Sequence, residues 1–303
     1  MRSEAAAKLP VVFFGTSHFA VPSLDALASA HDVIAVVTQP DRPAGRGLRE
    51  RQSAVKVRAL ELGLDVMTPE RLDAAFAASI AALKPALLAC VSYGKILPEA
   101  LLSIGGSTAL NVHPSLLPEY RGASPIQAAL REGRTITGVT VIWMSSKMDA
   151  GDIALQSEIA IGADEDLGAL HDRLATVGAS LLAEAARMLD AGALPRRRQD
   201  ESRATYTRPI DKDDLRIVSS SPARTIVDLV RSASPAPGAW LVYEGKRLKV
   251  LAARLEPAGS PLVSADGPGV AAADGIVRFL RVVPEGKRAM SGAEFVRSTT
   301  ARR

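Results

Sequence analysis

The chain is poor in cysteine, histidine and aromatic residues, and it lacks any long apolar run. One cysteine among 303 residues cannot form an intramolecular disulfide. The four histidines are scattered, so their spacing does not resemble that of a metal site. The first residues carry charge and no long apolar stretch, and no segment approaches the length of a membrane span. We therefore expect a cytoplasmic protein that binds neither a metal nor a membrane.

The net charge of +4 is distributed unevenly along the chain. Residues 1–195 carry 17 Lys and Arg against 21 Asp and Glu, a net charge of −4, whereas residues 196–303 carry 20 against 12, a net charge of +8. A basic region that follows an acidic one favours a polyanionic partner. Basic residues that only solvate a small domain would give the same distribution, so charge alone leaves both interpretations open.

Short apolar runs alternate with helical patterns in the first part of the chain. Val11–Phe14, Val33–Val37 and Ala86–Val91 have the pattern of strands that are buried on both faces. Helical patterns lie between them, over 21–30, 55–62 and 72–83. This alternation predicts an α/β fold with a Rossmann-like, mostly parallel sheet. Cys90 lies inside the third run, so we expect its thiol to be inert in the core.

The composition changes near residue 192. We predict a first domain over residues 1–192, a linker of low apolar content over 193–210, and a second domain over 211–303. The second domain contains short strand patterns and the hairpin signal Asp274–Gly275. These features predict a small β domain.

The most informative stretch is Asn111–Gly122, NVHPSLLPEYRG, together with Asp149 further on. Residues 110–113 have the pattern of a short strand, so Asn111 and His113 share one face. Acyl transfer to an amine requires a donor to the developing oxyanion, a group that handles protons, and a charge that supports the imidazole. An amide, an imidazole and a carboxylate supply these three needs. Taken singly, the three residues could also be a turn asparagine, a packed histidine and a capping aspartate.

The motif resembles the formyltransferases that use 10-formyltetrahydrofolate, and further stretches at 12–20, 38–47 and 91–98 extend the resemblance. The loop at 39–47 and the second domain resemble those of the enzymes in this superfamily that act on tRNA. The resemblance implies transfer of a formyl group from 10-formyltetrahydrofolate to the α-amino group of methionine on initiator methionyl-tRNA. It also implies that the second domain is an OB-like β-barrel that binds tRNA. We expect a monomer.

The resemblance implies a role for individual residues. Asn111 and a protonated His113 would donate hydrogen bonds to the oxyanion, and Asp149 would sustain the imidazolium and help to relay the amine proton. The residues expected to bind the folate are Ser115, Leu116, Leu117 and Pro118 of the loop, with Tyr93 and Gly94 at a neighbouring strand end. The residues expected to bind tRNA are Arg42 and Arg46, in an arginine-rich loop over 39–51 whose prolines and glycines argue against regular structure.

Two alternative functions stay open at this point. The first is a formyltransferase of the same superfamily that acts on an amino sugar nucleotide or on glycinamide ribonucleotide, and the arginine-rich loop counts against it. The second is a catalytically inert RNA-binding protein, and the intact set of Asn111, His113 and Asp149 counts against that. Arg121–Gly122 could either brace the loop or contact the substrate.

Overall fold

A computed structural model describes residues 8–44 and 49–300 of the chain. Its residues cluster into two compact units that interleave along the sequence. The first unit comprises the chain up to residue 122 with 138–159 and 172–206, and the second comprises 123–137, 160–171 and the chain from 207. The predicted domains are contiguous stretches, and their boundaries stay a prediction.

The first ten strands lie between residues 10 and 160. In chain order they are β1 (Pro10–Gly15), β2 (Asp32–Val37), β3 (Arg42–Ala44), β4 (Arg49–Arg51), β5 (Val66–Met67), β6 (Leu87–Val91), β7 (Thr108–His113), β8 (Arg121–Gly122), β9 (Ile136–Trp143) and β10 (Ile153–Ala160). The helices that alternate with them or follow them are α1 (Val21–Ala30), α2 (Ala54–Glu61), α3 (Ala74–Ala82), α4 (Glu99–Leu102), α5 (Pro125–Arg131) and α6 (Leu167–Asp190).

Seven strands among the described residues form one sheet in the order β10-β9-β7-β6-β1-β2-β5. The pairs β1–β2, β1–β6, β2–β5 and β6–β7 are parallel, whereas the pair β7–β9 is antiparallel. Every residue of β6 is buried, as expected for a strand that is covered on both faces. The predicted Rossmann-like, mostly parallel sheet is confirmed. Because the strand order reverses between β1 and β6, their carboxyl ends open a crevice of the kind that binds ligands in such sheets.

Side-chain caps begin two of the helices at polar residues. The Ser53 Oγ accepts a hydrogen bond from the backbone N–H of Lys56 at the start of α2, at 3.0 Å. The Asp73 carboxylate accepts one from the N–H of Phe76 at the start of α3, also at 3.0 Å. Each cap satisfies a backbone donor that the helix itself leaves unpaired.

The expectation that the loop over 39–51 has no regular structure is wrong. Strands β3 and β4 pair antiparallel there, with Arg42 opposite Arg51 and Ala44 opposite Arg49. Both strands are edges of a two-stranded ribbon, and an edge strand tolerates a proline such as Pro43. Residues 45–48, which include Arg46, lie outside the described residues.

The second unit contains an antiparallel sheet. The remaining elements of the chain are β11 (Tyr206–Thr207), α7 (Ala223–Ser232), β12 (Ala239–Tyr243), β13 (Lys246–Glu256), β14 (Val263–Ser264), β15 (Gly267–Ala271), β16 (Ile276–Pro284), β17 (Met290–Ser291) and α8 (Gly292–Thr300). The sheet order is β12-β13-β16-β15-β14, and β17 also pairs with β16. The Ala272 N–H donates to the Gly275 carbonyl between β15 and β16, which confirms the hairpin predicted at Asp274–Gly275.

Helix α7 and this sheet enclose the core of the second unit. Ile226 and Val230 of the helix are buried together with Val250, Phe279 and Val282 of the strands. Among the described residues, no helix combines the length and apolar character that crossing a bilayer requires.

Gly138 of β9 is a position where the fold has no space for a side chain. A Cβ there would lie 2.2 Å from the Ser157 carbonyl oxygen and 2.4 Å from a methyl group of Leu116. We expect Gly138→Ala to lower the free energy of unfolding by about 1–3 kcal/mol, the usual cost of overpacking a core. Urea denaturation would measure the change. Gly105→Ala is the matched control because nothing lies within 4 Å of its Cβ position, and equal stability of the two variants would contradict the prediction.

Candidate active site

Strand β7 carries two of the three predicted catalytic residues at its end. The predicted strand at 110–113 is confirmed, and Asn111 and His113 alternate with the buried Val112, so they point to the same face. The His113 side chain is buried, whereas Asn111 is half-buried. Within the described residues, the Asn111 side-chain amide makes no hydrogen bond. Its N–H groups are therefore available to a ligand.

Both ring nitrogens of His113 face protein oxygens. Its Nε2 lies 2.9 Å from the Tyr120 carbonyl oxygen, and its Nδ1 lies 3.6 Å from the Asp149 Oδ2. A carbonyl oxygen only accepts hydrogen bonds, so Nε2 is the nitrogen that donates to Tyr120. The 3.6 Å separation between Nδ1 and the carboxylate exceeds hydrogen-bond length, so Nδ1 can face a third atom while it stays close to the Asp149 charge.

Asp149 lies in the connection between β9 and β10, with a φ of 51°. This left-handed conformation is uncommon for a residue with a side chain, although aspartate tolerates it better than most. Its Oδ2 accepts a hydrogen bond from the Gly122 N–H at 2.8 Å. Residues 120–122 thus contact both members of the pair: the Tyr120 carbonyl binds His113 and the Gly122 N–H binds Asp149.

The predicted folate loop is held tightly to the sheet. Ser115 is fully buried, and its hydroxyl donates to the Glu119 carbonyl at 2.6 Å. Leu117 is buried against Ile142 and Ile153, and its N–H donates to the Thr140 hydroxyl at 3.2 Å. The side chains of Ser115 and Leu117 therefore point into the protein and hold the loop in place.

Leu116 is the half-buried member of the same loop. Its side chain packs over Gly138 of β9, close enough that a Cβ there would collide with it. Pro118 is buried, and its carbonyl accepts the Thr205 N–H at 3.2 Å. The Gln156 side chain donates to the Leu117 carbonyl at 3.0 Å, which fixes the loop from the β10 side. Sequence reasoning missed Gln156 and Thr140 because polar residues within strands carry no distinguishing pattern.

A cleft of about 1120 Å³ opens at the carboxyl ends of β1, β2 and β6. Tyr93, Gly94 and Arg42 are among its lining residues, whereas no residue of the loop over 115–118 is. The expectation that Tyr93 and Gly94 share a folate cavity with that loop stays a prediction. His113 and Asp149 are not among its lining residues. They lie near the carboxyl end of β7, which is the parallel neighbour of β6. The cleft and the His113–Asp149 pair are thus built on adjacent strand ends of one sheet.

Tyr93 contributes its backbone carbonyl, and not its ring, to the wall of the cleft. Its ring is 1% exposed and packs edge-on against Phe14, with 5.5 Å between the ring centroids. Burial, followed by the effect of Cys90, raises the pKa of Tyr93 to about 12. Its carbonyl accepts hydrogen bonds from Thr16 Oγ1 at 2.9 Å and from Gln39 Nε2 at 3.2 Å. The ring is therefore part of the core, while the carbonyl orders the cleft wall.

The segment predicted as a linker contains a residue that sequence reasoning missed. The Gln199 side-chain Nε2 donates to the carbonyl of Asp149 and to the carbonyl of Gly151, at 2.7 Å each. Gln199 lies in a polar stretch, and a polar stretch gives no signal for a specific contact. Only the three-dimensional structure brings it to Asp149.

Comparison with known proteins identifies the family. A family model described as "Formyl transferase" matches residues 7–186, and a model of the formyl transferase C-terminal domain matches residues 209–300. The chain belongs to the formyl transferase family. The first match alone spans more than half of the chain.

Relatives agree with this assignment, and a solved structure shares the fold. The chain is 44% identical over 305 aligned residues to a methionyl-tRNA formyltransferase of Anaeromyxobacter dehalogenans, covering 97% of this chain and 98% of the relative. It is 42% identical to a methionyl-tRNA formyltransferase of Jannaschia sp., covering 94% and 95%. A crystal structure of HypX from Aquifex aeolicus in complex with tetrahydrofolic acid is similar in fold, with a TM-score of 0.68 at 16% identity over 96% of this chain and 47% of HypX.

The single cysteine of this formyl transferase lies in β6, where its thiol is buried. Burial and the negative charge of Asp149 raise the pKa of Cys90 to about 12. The predicted burial of the Cys90 thiol in the core is confirmed. Among residues 8–44 and 49–300, no group of three or more His, Cys, Asp or Glu side chains could hold a metal ion.

We expect Cys90 to be unreactive in the native protein. Thiolate is the reactive form, and a pKa of about 12 leaves almost none of it at pH 8. An excess of a chromogenic disulfide reagent at pH 8 is expected to label far less than one thiol per native chain within an hour. The same protein in guanidinium chloride is the control and is expected to release one equivalent. Rapid labelling of the native chain would contradict the burial of Cys90.

Proposed function

We propose that this chain transfers a formyl group from 10-formyltetrahydrofolate to the α-amino group of methionine on initiator methionyl-tRNA. The product is N-formylmethionyl-tRNA, which is used in translation initiation. The observation that carries the proposal is the 44% identity with a methionyl-tRNA formyltransferase over nearly the full length of both chains. The buried His113, paired with the half-buried Asp149, supports it independently, together with an Asn111 amide that has no hydrogen-bond partner among the described residues.

The residues at the end of β7 suit a folate co-substrate. A pterin ring has amide-like edges and apolar faces, and the half-buried Leu116 offers an apolar surface on a loop whose backbone is already fixed. The Asn111 amide, which has no hydrogen-bond partner in the described part of the chain, offers polar contacts on β7, the strand that precedes this loop. We propose that Leu116 packs against the pterin, that the buried Ser115, Leu117 and Pro118 hold this loop in place for it, and that no metal takes part.

The side chains of this chain supply what formyl transfer needs. The co-substrate brings a formyl carbon bonded to nitrogen, and the methionyl amine forms a new bond to that carbon. Asn111 and the Nδ1–H of His113 donate hydrogen bonds to the oxygen as it becomes negative. Nε2 stays bound to the Tyr120 carbonyl, so Nδ1 is the nitrogen that acts. Asp149 stabilises the charged ring and relays the amine proton to the departing folate nitrogen as the old carbon–nitrogen bond breaks.

A free α-amino group has a pKa of about 7.7–8, so a useful fraction of the methionyl amine is neutral near pH 7. The chain therefore needs no strong base to generate the nucleophile. The reaction still requires stabilisation of the oxyanion and transfer of one proton, and the His113–Asp149 pair suits these two tasks.

We further propose that the β3–β4 ribbon contacts the acceptor end of the tRNA. Arg42 is exposed, lies on β3 and lines the cleft next to Tyr93 and Gly94. Arginine can pair with a phosphate, bind a base edge and stack on a base. Arg46, which lies outside the described residues, is proposed to act with it. We propose that the protein acts as a monomer in the cytoplasm.

Formation of N-formylmethionyl-tRNA by the purified protein tests the function. Charged initiator tRNA and 10-formyltetrahydrofolate are expected to give formylmethionine, whereas an amino sugar nucleotide in its place is expected to remain unformylated. We expect His113→Ala and Asp149→Ala each to lower kcat by at least about 100-fold, since a lost oxyanion donor or proton-transfer group costs about that much.

Circular dichroism and thermal unfolding accompany the kinetics and show whether each variant is folded. A folded variant of either residue with nearly the parent kcat would remove it from the proposed catalytic group. Formylation of the sugar nucleotide with no formylmethionine would replace the proposed substrate.

We expect Arg42→Ala to weaken discrimination between initiator and elongator methionyl-tRNA. One arginine contact to nucleic acid contributes about 1–3 kcal/mol, so kcat/KM on the initiator should fall about tenfold or more. Formylation of the two charged tRNAs by the same preparation measures the ratio. Arg187→Ala is the matched control because it removes one equal charge from an exposed side chain of α6. An unchanged kcat/KM on both tRNAs in Arg42→Ala would exclude this role.

A further inference from the structure

The Asp149 backbone is held by a side chain from a distant part of the chain. Gln199 donates one hydrogen bond to the Asp149 carbonyl and one to the Gly151 carbonyl, both at 2.7 Å. A primary amide has two N–H groups, so these two contacts use its whole donor capacity. The Asp149 carboxylate, in contrast, faces His113 and the Gly122 N–H. Gln199 thus holds the backbone of Asp149 while the carboxylate faces the ring.

The oxygen of the same amide is bound to a buried cation. Gln199 Oε1 accepts hydrogen bonds from Arg121 Nη2 at 2.7 Å and from Arg121 Nε at 3.1 Å. The amide oxygen and nitrogen therefore have different partners, and a reversed amide would place N–H groups against a guanidinium. The orientation of Gln199 is fixed by this requirement.

Arg121 is itself fixed, because its side chain is only 1% exposed. Its guanidinium binds both carboxylate oxygens of Glu201, at 2.8 and 2.9 Å, and donates to the Tyr206 hydroxyl at 3.0 Å. Its backbone N–H donates to the Thr205 carbonyl at 2.9 Å. The Arg121 guanidinium also holds the pKa of the Glu201 carboxyl below its usual range. A bidentate arginine pair of this kind fixes orientation as well as distance.

The position of Arg121 in the sequence connects this network to both catalytic side chains. Its preceding residue, Tyr120, provides the carbonyl that binds His113, and its following residue, Gly122, provides the N–H that binds Asp149. One buried arginine thereby fixes the partners of the ring and of the carboxylate through its own backbone. Through Gln199 it also fixes the left-handed backbone at Asp149. Such a conformation persists where surrounding contacts determine it.

We propose that Arg121 and Gln199 are positioning residues that hold Asp149 against His113 for formyl transfer. The inference rests on the proposed function and assigns a role to residues that do not touch the reacting atoms. The Gln199 side-chain amide makes the connection: its oxygen binds the buried Arg121 guanidinium, and its N–H groups bind the backbone at Asp149.

The substitution Gln199→Glu tests this inference with little change of size. A glutamate keeps an oxygen for Arg121, but it places a second oxygen against the carbonyls of Asp149 and Gly151, where two donors stood. We expect kcat to fall about 10- to 100-fold, the scale of a small misplacement of a catalytic group. The KM values for 10-formyltetrahydrofolate and for methionyl-tRNA are expected to stay within about twofold, because the substrate-binding residues are unchanged.

Combination with Asp149→Ala separates positioning from stability. The Asp149→Ala chain keeps the backbone carbonyl that Gln199 binds, so Gln199→Glu should lower the melting temperature equally in both backgrounds. If Gln199 acts through the carboxylate, its effect on kcat should be absent once that carboxylate is removed. Single-turnover formylation measures the slow double variant. An undiminished effect on kcat in the Asp149→Ala background would overturn the proposal.

Asp200→Ala is the matched control in the same segment. Asp200 is exposed, and its carboxylate caps the following turn by accepting from the backbone N–H and the hydroxyl of Ser202, without contact to Asp149. We expect its kcat to stay within about twofold of the parent. A loss equal to that of Gln199→Glu would mean that general loosening of the segment lowers the rate, and would overturn the assignment. No formylmethionine from the parent chain would defeat the proposed function together with this inference, whereas an active parent with unaltered kcat in Gln199→Glu would defeat this inference alone.

Discussion

The hydrogen bonds made by the backbone of residues 120–122 determine the geometry of the candidate site. The Tyr120 carbonyl fixes which nitrogen of His113 is occupied, and the Gly122 N–H fixes where the Asp149 carboxylate points. Because the two contacts come from one short segment, the ring and the carboxylate cannot move independently. Catalytic groups held in this way need no rearrangement when charge develops in the transition state.

The fold supplies the remaining constraints through the order of its strands. β6 and β7 are parallel neighbours, so Ser92–Gly94 and His113 emerge at the same edge of the sheet. β9 is antiparallel to β7 and leads into the connection that returns Asp149 to that edge. The glycine at 138 lets Leu116 lie on β9. Each of these placements depends on the backbone geometry of the sheet rather than on one side-chain contact.

Much of this arrangement could be predicted from the sequence. Apolar runs such as Val11–Phe14 and Ala86–Val91 specify buried strands because a strand covered on both faces must be apolar throughout. The spacing of Asn111 and His113 specifies a shared face because strand side chains alternate. The ribbon of β3 and β4 was missed because the prolines and glycines in the sequence 39–51 argue against strands, although a two-stranded ribbon has only edge strands, which tolerate a proline. Local rules predict what local geometry determines.

The contacts of Gln199 belong to another class, which sequence patterns do not reveal. The residue lies 50 positions from Asp149 in a polar segment that resembles a linker, and its two donors and its oxygen are used only after the chain has folded. Apolar periodicity records burial, and it does not record which buried polar groups pair with each other. A buried cation such as Arg121 must nevertheless be paired, because an unpaired one would be too costly. A segment of low apolar content can therefore be as strongly constrained as a core strand when its side chains supply the hydrogen bonds of a buried charge.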